Sequence, residues 1–169
     1  MEPSDLRALQ APLKQRYKDH PAAALVTLRA SGTLEGSGMG CRVDTGRSLV
    51  EAGLHPATGG TGLQACSGDM LLEALAACAG VTLRAVATAL EIPVRSGVIH
   101  AEGDLDFRGT LGVSKDVAVG FQAIRLRLAL DTDATREQLD TLLKLTERYC
   151  VVLQTIRSST PVSASASSQ

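Results

Sequence analysis

The chain has 169 residues, a formal charge of −1, 44% hydrophobic and 2% aromatic residues, no Trp and four cysteines. That length holds one ordinary domain with a true core, and the apolar fraction excludes a disordered polymer. Near-neutral charge and scarce aromatics speak against nucleic-acid binding, and four cysteines in so long a chain are not a disulfide scaffold.

The first twenty residues carry acidic side chains and no apolar core of signal-peptide length, so a cytoplasmic protein with reduced thiols is expected. Residues 4–17 read as a short amphipathic helix with Ser4 as N-cap. Residues 22–30, 32–43 and 47–52 read as successive antiparallel strands joined by tight turns. A glycine-rich loop spans 55–65.

Residues 67–90 then form the clearest element, a long helix stopped by Pro93. At 100° per residue, Asp69, Glu73, Gly80, Arg84, Thr88 and Glu91 fall within one polar stripe, and Cys78 lies nearly opposite. The helix is therefore expected at the centre of the fold. Its charges, Asp69, Glu73 and Arg84, interrupt the nearest thing to a membrane-spanning run, and no membrane association is expected. Residues 97–107 and 121–131 alternate with period two and read as strands. A long loop or short extra strand connects them. Asp133 is the expected cap of a second long helix over 134–157, supported by Glu137, with Cys150 in the middle of its apolar stripe. The order of elements is α+β. The expected organisation is a helical extension over 1–21, a domain over 22–157 and a solvated tail over 158–169.

Cys78 and Cys150 each sit on an apolar helix face, and packed helices bring such faces to about 8–10 Å between axes. They are the candidate thiol-redox pair. The alternative is two buried cysteines serving as small hydrophobes. Cys66 and Cys78 on one helix would stand roughly 18 Å apart along its axis, far beyond disulfide reach. Cys66 and Cys41 are read as structural. There is no CxxC or HExxH, and His20, His55 and His100 are scattered, which leaves only His55, Cys66 and Cys78 as a loose metal alternative. The GGTG segment lacks the Lys-Ser/Thr of a phosphate loop, and no serine elbow is present. No cofactor is expected.

The segment CSGDMLLEALAACAGVTLRAVA resembles the central helix of the OsmC-like family, which includes the organic hydroperoxide resistance proteins. EGDLDFRGTLGVSKDVAVGFQAIRLRL resembles the strands that follow in that family, and ERYCVVLQTI its second helix with a cysteine. The resemblance runs from about residue 22 to 157. It implies an α+β OsmC-like fold, with antiparallel sheets packed around two long helices in an intertwined homodimer. It also implies a peroxidatic thiol at Cys78, a resolving thiol at Cys150, hydroperoxide substrates and an external thiol reductant. An Arg and a Glu activate the thiol in such proteins. Gly68 stands at the Glu position beside Asp69, and Arg29, Arg42 and Arg47 are the candidate arginines. The alternative function is a non-catalytic member holding a small apolar ligand at the dimer interface.

Overall fold

The computed structural model describes residues 3–34, 42–43, 52–63 and 65–166. Cys41 and Arg47 lie outside these residues, as does most of the sequence expected to form the second and third strands. Helix α1 (Pro3–Asp19) starts one residue before Ser4, so Ser4 lies inside the helix. Pro3 leads instead, at a position where a missing N–H costs nothing. A 3-10 turn (Pro21–Ala24) takes the start of the expected first strand, and β1 runs over Leu25–Leu34. Next come β2 (Arg42–Val43), β3 (Ala52–Gly53), β4 (Ala65–Cys66) and the long helix α2 (Ser67–Ala89). The chain continues through β5 (Ser96–Asp106), α3 (Phe107–Thr110), β6 (Ala123–Asp131), α4 (Arg136–Tyr149) and α5 (Val151–Arg157).

Among the described residues the main sheet has the order β2-β1-β5-β6, antiparallel throughout. The pairing of β3 with β4 is parallel and two residues long, and β4 lies where only the end of a loop and the start of a helix were expected. Alternation fixes the faces of the sheet. Ile99 and Ala101 of β5 are fully buried, and Leu128 and Leu126 stand opposite them on β6. On the outer face Glu102 is opposite Arg125, whose guanidinium also pairs with Asp104. A Cβ at Gly103 on the inner face would sit 2.4 Å from the Phe121 ring, so a larger residue there would force that ring to shift.

Helix α2 packs against β1, β5, α4 and α5. Its Leu72, Leu75 and Leu83, together with Leu142 of α4, are essentially fully buried. Each such side chain contributes about 1.5–3 kcal/mol of burial. By length and composition α2 would suffice to cross a membrane, with a mean hydropathy of 1.6 over 18 residues. Here it is the core helix of an α+β domain. Its orientation differs from the expected one. Arg84, assigned to a solvated stripe, is buried and donates from Nη1 to the Val94 carbonyl at 2.6 Å. That bond ties the helix to the turn leading into β5 and lets an arginine lie inside. The exposed stripe is instead apolar: Met70, Leu71, Ala74, Val81 and Ala85.

The second long helix also departs from expectation. Thr135, not Asp133, caps it: the Thr135 hydroxyl accepts from the Gln138 N–H, and the Gln138 side chain accepts from the Thr135 N–H. This is a complete capping box. Asp133 is taken up by Arg95, which also grips Asp131. The helix then breaks at Cys150 into α4 and α5. A smaller core under α1 holds Tyr17, Ala24, Phe107 and Leu111. Tyr17 donates its hydroxyl to the Ala57 carbonyl at 2.7 Å, fastening α1 over the turn that begins at His55.

Candidate functional site

Cys78 projects from the middle of α2, half-buried, at the edge of the exposed apolar stripe. Cys150 is fully buried at the junction of α4 and α5. The packing of α2 against α5 brings the two sulfurs into hydrogen-bonding contact as free thiols. Of the four cysteines these are the two that the sequence singled out, and the fold unites them.

The backbone at the junction is what makes the contact unusual. Cys150 adopts φ −71 and ψ 105, extended rather than helical. Its N–H closes α4 on the Thr146 carbonyl at 2.9 Å, and its own carbonyl opens α5 by accepting from the Gln154 N–H at 2.9 Å. In an unbroken helix the Val151 N–H would go to the Glu147 carbonyl four residues back. The break frees the first-turn donors of α5. The N–H groups of Val151 and Val152 face the Cys78 sulfur, and that of Leu153, with Val152 shared between the two, faces the Cys150 sulfur. The Glu147 carbonyl left behind accepts from the Gln154 side-chain Nε2 at 2.7 Å. Arg157 Nη1 holds the Glu147 carboxylate at 3.2 Å.

These donors set the two thiols apart. Burial raises the Cys78 thiol, but hydrogen bonds from the Val152 N–H, the Cys150 thiol, the Thr82 hydroxyl and the Val151 N–H outweigh it. The net effect is to lower Cys78 below the ordinary thiol range. Burial, reinforced by Cys78, pushes Cys150 up to about 11 despite its own backbone donors. The arrangement therefore favours a thiolate on Cys78 and a thiol on Cys150 that donates to it. A thiolate is the nucleophilic form of cysteine.

The other sequence candidates lie elsewhere. Cys66 is the N-cap of α2, half-buried, and its side chain makes no cap hydrogen bond. Arg29 falls in β1 and Arg42 in β2. Asp69 lies nine residues before Cys78, about 13 Å along the helix and half a turn round it. It faces His55. Burial raises the Asp69 carboxyl, with His55 pulling it back, and burial lowers His55, with Asp69 pulling it up. His55 is committed further: its Nδ1 accepts from the Ala57 N–H at 3.0 Å and its ring stacks on Phe107 at 4.9 Å. Among the described residues no three His, Cys, Asp or Glu side chains converge as a metal site requires, so His55, Cys66 and Cys78 do not form one.

Sequence reasoning missed the backbone donors, Thr82 and Gln154. Thr82 was within reach of it, four residues after Cys78 and so a neighbour on the same helix face. The backbone donors had no signal, because nothing in ERYCVVLQTIR breaks a helix by propensity.

Fold and site together define an α+β domain built around a hydrogen-bonded, electrostatically unequal thiol pair. Residues 60–165 match the sequence model of the family described as OsmC-like protein, and the chain belongs to that family. The fold is also similar to the crystal structure of an OsmC-like hydroperoxide resistance protein from Jannaschia sp. CCS1. The match has a TM-score of 0.60 and 16% identity, and covers 82% of this chain and 91% of that one. At that identity the likeness is one of fold. No curated protein matches the chain.

Proposed function

We propose that this protein is a thiol-dependent hydroperoxide reductase with Cys78 as the peroxidatic and Cys150 as the resolving cysteine. The observation that carries this reading is the pair itself: one thiol lowered by convergent donors, and touching it a second, buried one raised to about 11. Membership of the OsmC-like family and the fold shared with a hydroperoxide resistance protein support it.

In the first step the Cys78 thiolate attacks one oxygen of the hydroperoxide. An S–O bond forms, the O–O bond breaks, and the leaving alkoxide takes a proton to become an alcohol. Cys78 is then a sulfenic acid. In the second step the Cys150 sulfur attacks the Cys78 sulfur, the S–O bond breaks, and hydroxide leaves with the Cys150 proton as water. The resulting disulfide is reduced by two equivalents of an external thiol, themselves oxidised to a disulfide. Activation of Cys78 then rests on backbone N–H groups and the Thr82 hydroxyl. Apolar Val81 and Val151, both exposed, border the thiol and suit an alkyl hydroperoxide. A second copy of the chain covers the apolar stripe of α2 in this reading, which places the thiols at a homodimer interface, and the setting is cytoplasmic oxidative-stress defence.

The test is turnover of tert-butyl hydroperoxide with a dithiol reductant. Cys78→Ser is expected to stay folded and consume no peroxide above the uncatalysed rate. A variant that turns over like wild type rejects the reading.

A second reading has an observation of its own. A cleft of about 320 Å³ beside the start of α2 is walled by Leu54, Leu105, Phe107, Val119 and Phe121. Its volume and apolar walls fit a small apolar ligand. Binding of an apolar fluorescent probe, unaffected by Cys78→Ser and lost in a Val119→Asp variant, would favour this reading if peroxide turnover is absent.

A further inference from the structure

A helix that runs to Tyr149 and resumes at Val151 leaves two kinds of orphan at the break: N–H groups ahead and carbonyls behind. The N–H groups of Val151 and Val152 are on the Cys78 sulfur. The Glu147 carbonyl is the one the Val151 N–H would bind if the helix closed, and it is occupied by Gln154 at 2.7 Å. The same residue, Gln154, gives its own N–H to the Cys150 carbonyl at 2.9 Å. Gln154 thus bridges the break, with its side chain on the last turn of α4 and its backbone in the first turn of α5. Its neighbour in the next turn, Arg157, fixes the Glu147 carboxylate at 3.2 Å, so residue 147 is held at both its backbone and its side chain.

We propose that Gln154 is a positioning residue for the Cys78 thiolate: by occupying the Glu147 carbonyl it holds the helix open and keeps the Val151 N–H directed at the Cys78 sulfur. This rests on the reading of Cys78 as the reactive thiol, but its machinery is separate. Gln154 touches neither sulfur with its side chain. The Val151 N–H can serve the Glu147 carbonyl or the Cys78 sulfur, and an amide donor already on that carbonyl weakens it as an acceptor and so favours the sulfur. A carboxylate of the same shape cannot donate to a carbonyl, and a thioether cannot either.

The test reads the pH dependence of Cys78 alkylation by iodoacetamide in the full-length protein, resolved by peptide mass spectrometry and carried out without peroxide. Gln154→Glu and Gln154→Met are expected to shift the Cys78 midpoint upward and to slow alkylation at neutral pH several-fold. Gln154→Lys keeps a donor of similar reach and is expected to stay near the wild-type midpoint. All three changes are at an exposed position, and unfolding midpoints in urea establish that each variant folds. An unmoved midpoint in both Glu and Met variants overturns the proposal, as does an equal shift in all three variants, which would mark a merely structural role. Absence of peroxide turnover in the wild type would count against the peroxide reading alone, since the alkylation profile is measured independently.

Discussion

Helix α2 has one cysteine at its N-cap and one at its middle, and the two positions treat them differently. Cys66 caps the start of the longest helix among the described residues, where the helix dipole and unpaired N–H groups favour negative charge, yet its side chain makes no cap hydrogen bond. Cys78 sits in mid-helix, where its own helix offers no free backbone N–H, and receives donors from the Thr82 side chain, Cys150 and the α5 backbone. What distinguishes the second site is convergence. A break in a neighbouring helix supplies what the start of its own helix would be expected to give, and does so at the margin of the core.

The sharpest way to break this comparison is to exchange the two sites' roles. Cys78→Ser is expected to remove all peroxide turnover, whereas Cys66→Ser is expected to retain it at the wild-type level. Comparable losses in both would make the starting position matter after all. Next in size is Cys150→Ser. One equivalent of peroxide should still be reduced, but without a resolving thiol the Cys78 sulfenic acid should persist and gain further oxygen, read as mass increments on the Cys78 peptide. Sustained turnover in that variant would remove Cys150 from the cycle.

A smaller effect is in pH. Cys78, lowered, should be the first of the pair to react with an alkylating agent, and Cys150 should label only as pH approaches 11 or on unfolding. The linkage signs are opposite. Cys78 binds its proton less tightly when folded, so its contribution to stability is present above the unfolded thiol value and fades as pH falls through the folded one. Cys150 binds its proton more tightly when folded, so stability is lost as pH rises from the ordinary thiol range toward 11. Urea midpoints measured in Cys150→Ala against wild type across that range check the second sign. The smallest expected change is at Thr146, one turn before Cys150, whose buried hydroxyl has no hydrogen-bond partner among the described residues. Thr146→Val should be neutral or stabilising by up to about 1 kcal/mol in a thermal melt. A loss of stability would mean the hydroxyl has a partner.

Much of this was legible in the residues. The bounds of α2, β5 and β6 follow from strong periodicity and from Pro93, and the structure places them within one or two residues of expectation. The meeting of Cys78 and Cys150 was expected from two inward helix faces, but only Cys150 is buried; Cys78 reaches it from the half-exposed apolar face of α2. The failures share a cause: local rules were outbid by tertiary partners. Arg84 reads as a surface residue until the Val94 carbonyl is placed beside it. Asp133 reads as a cap until Arg95 claims it, although the Thr135–Gln138 spacing was there to be read as the alternative. The break at Cys150 involves no proline or glycine. Its orphans are satisfied by residues that only the folded chain assembles: two sulfurs on one side and Gln154 on the other.

On the homodimer reading, the apolar stripe of Met70, Leu71, Ala74, Val81 and Ala85 would make concentration a variable of this protein. If a second copy covers that stripe, dilution uncovers it, and mass action couples stability to the amount of protein present. The melting midpoint would then fall on serial dilution. The border of Cys78 would become wetter as partners separate, so thiol reactivity and assembly would be two readings of one equilibrium.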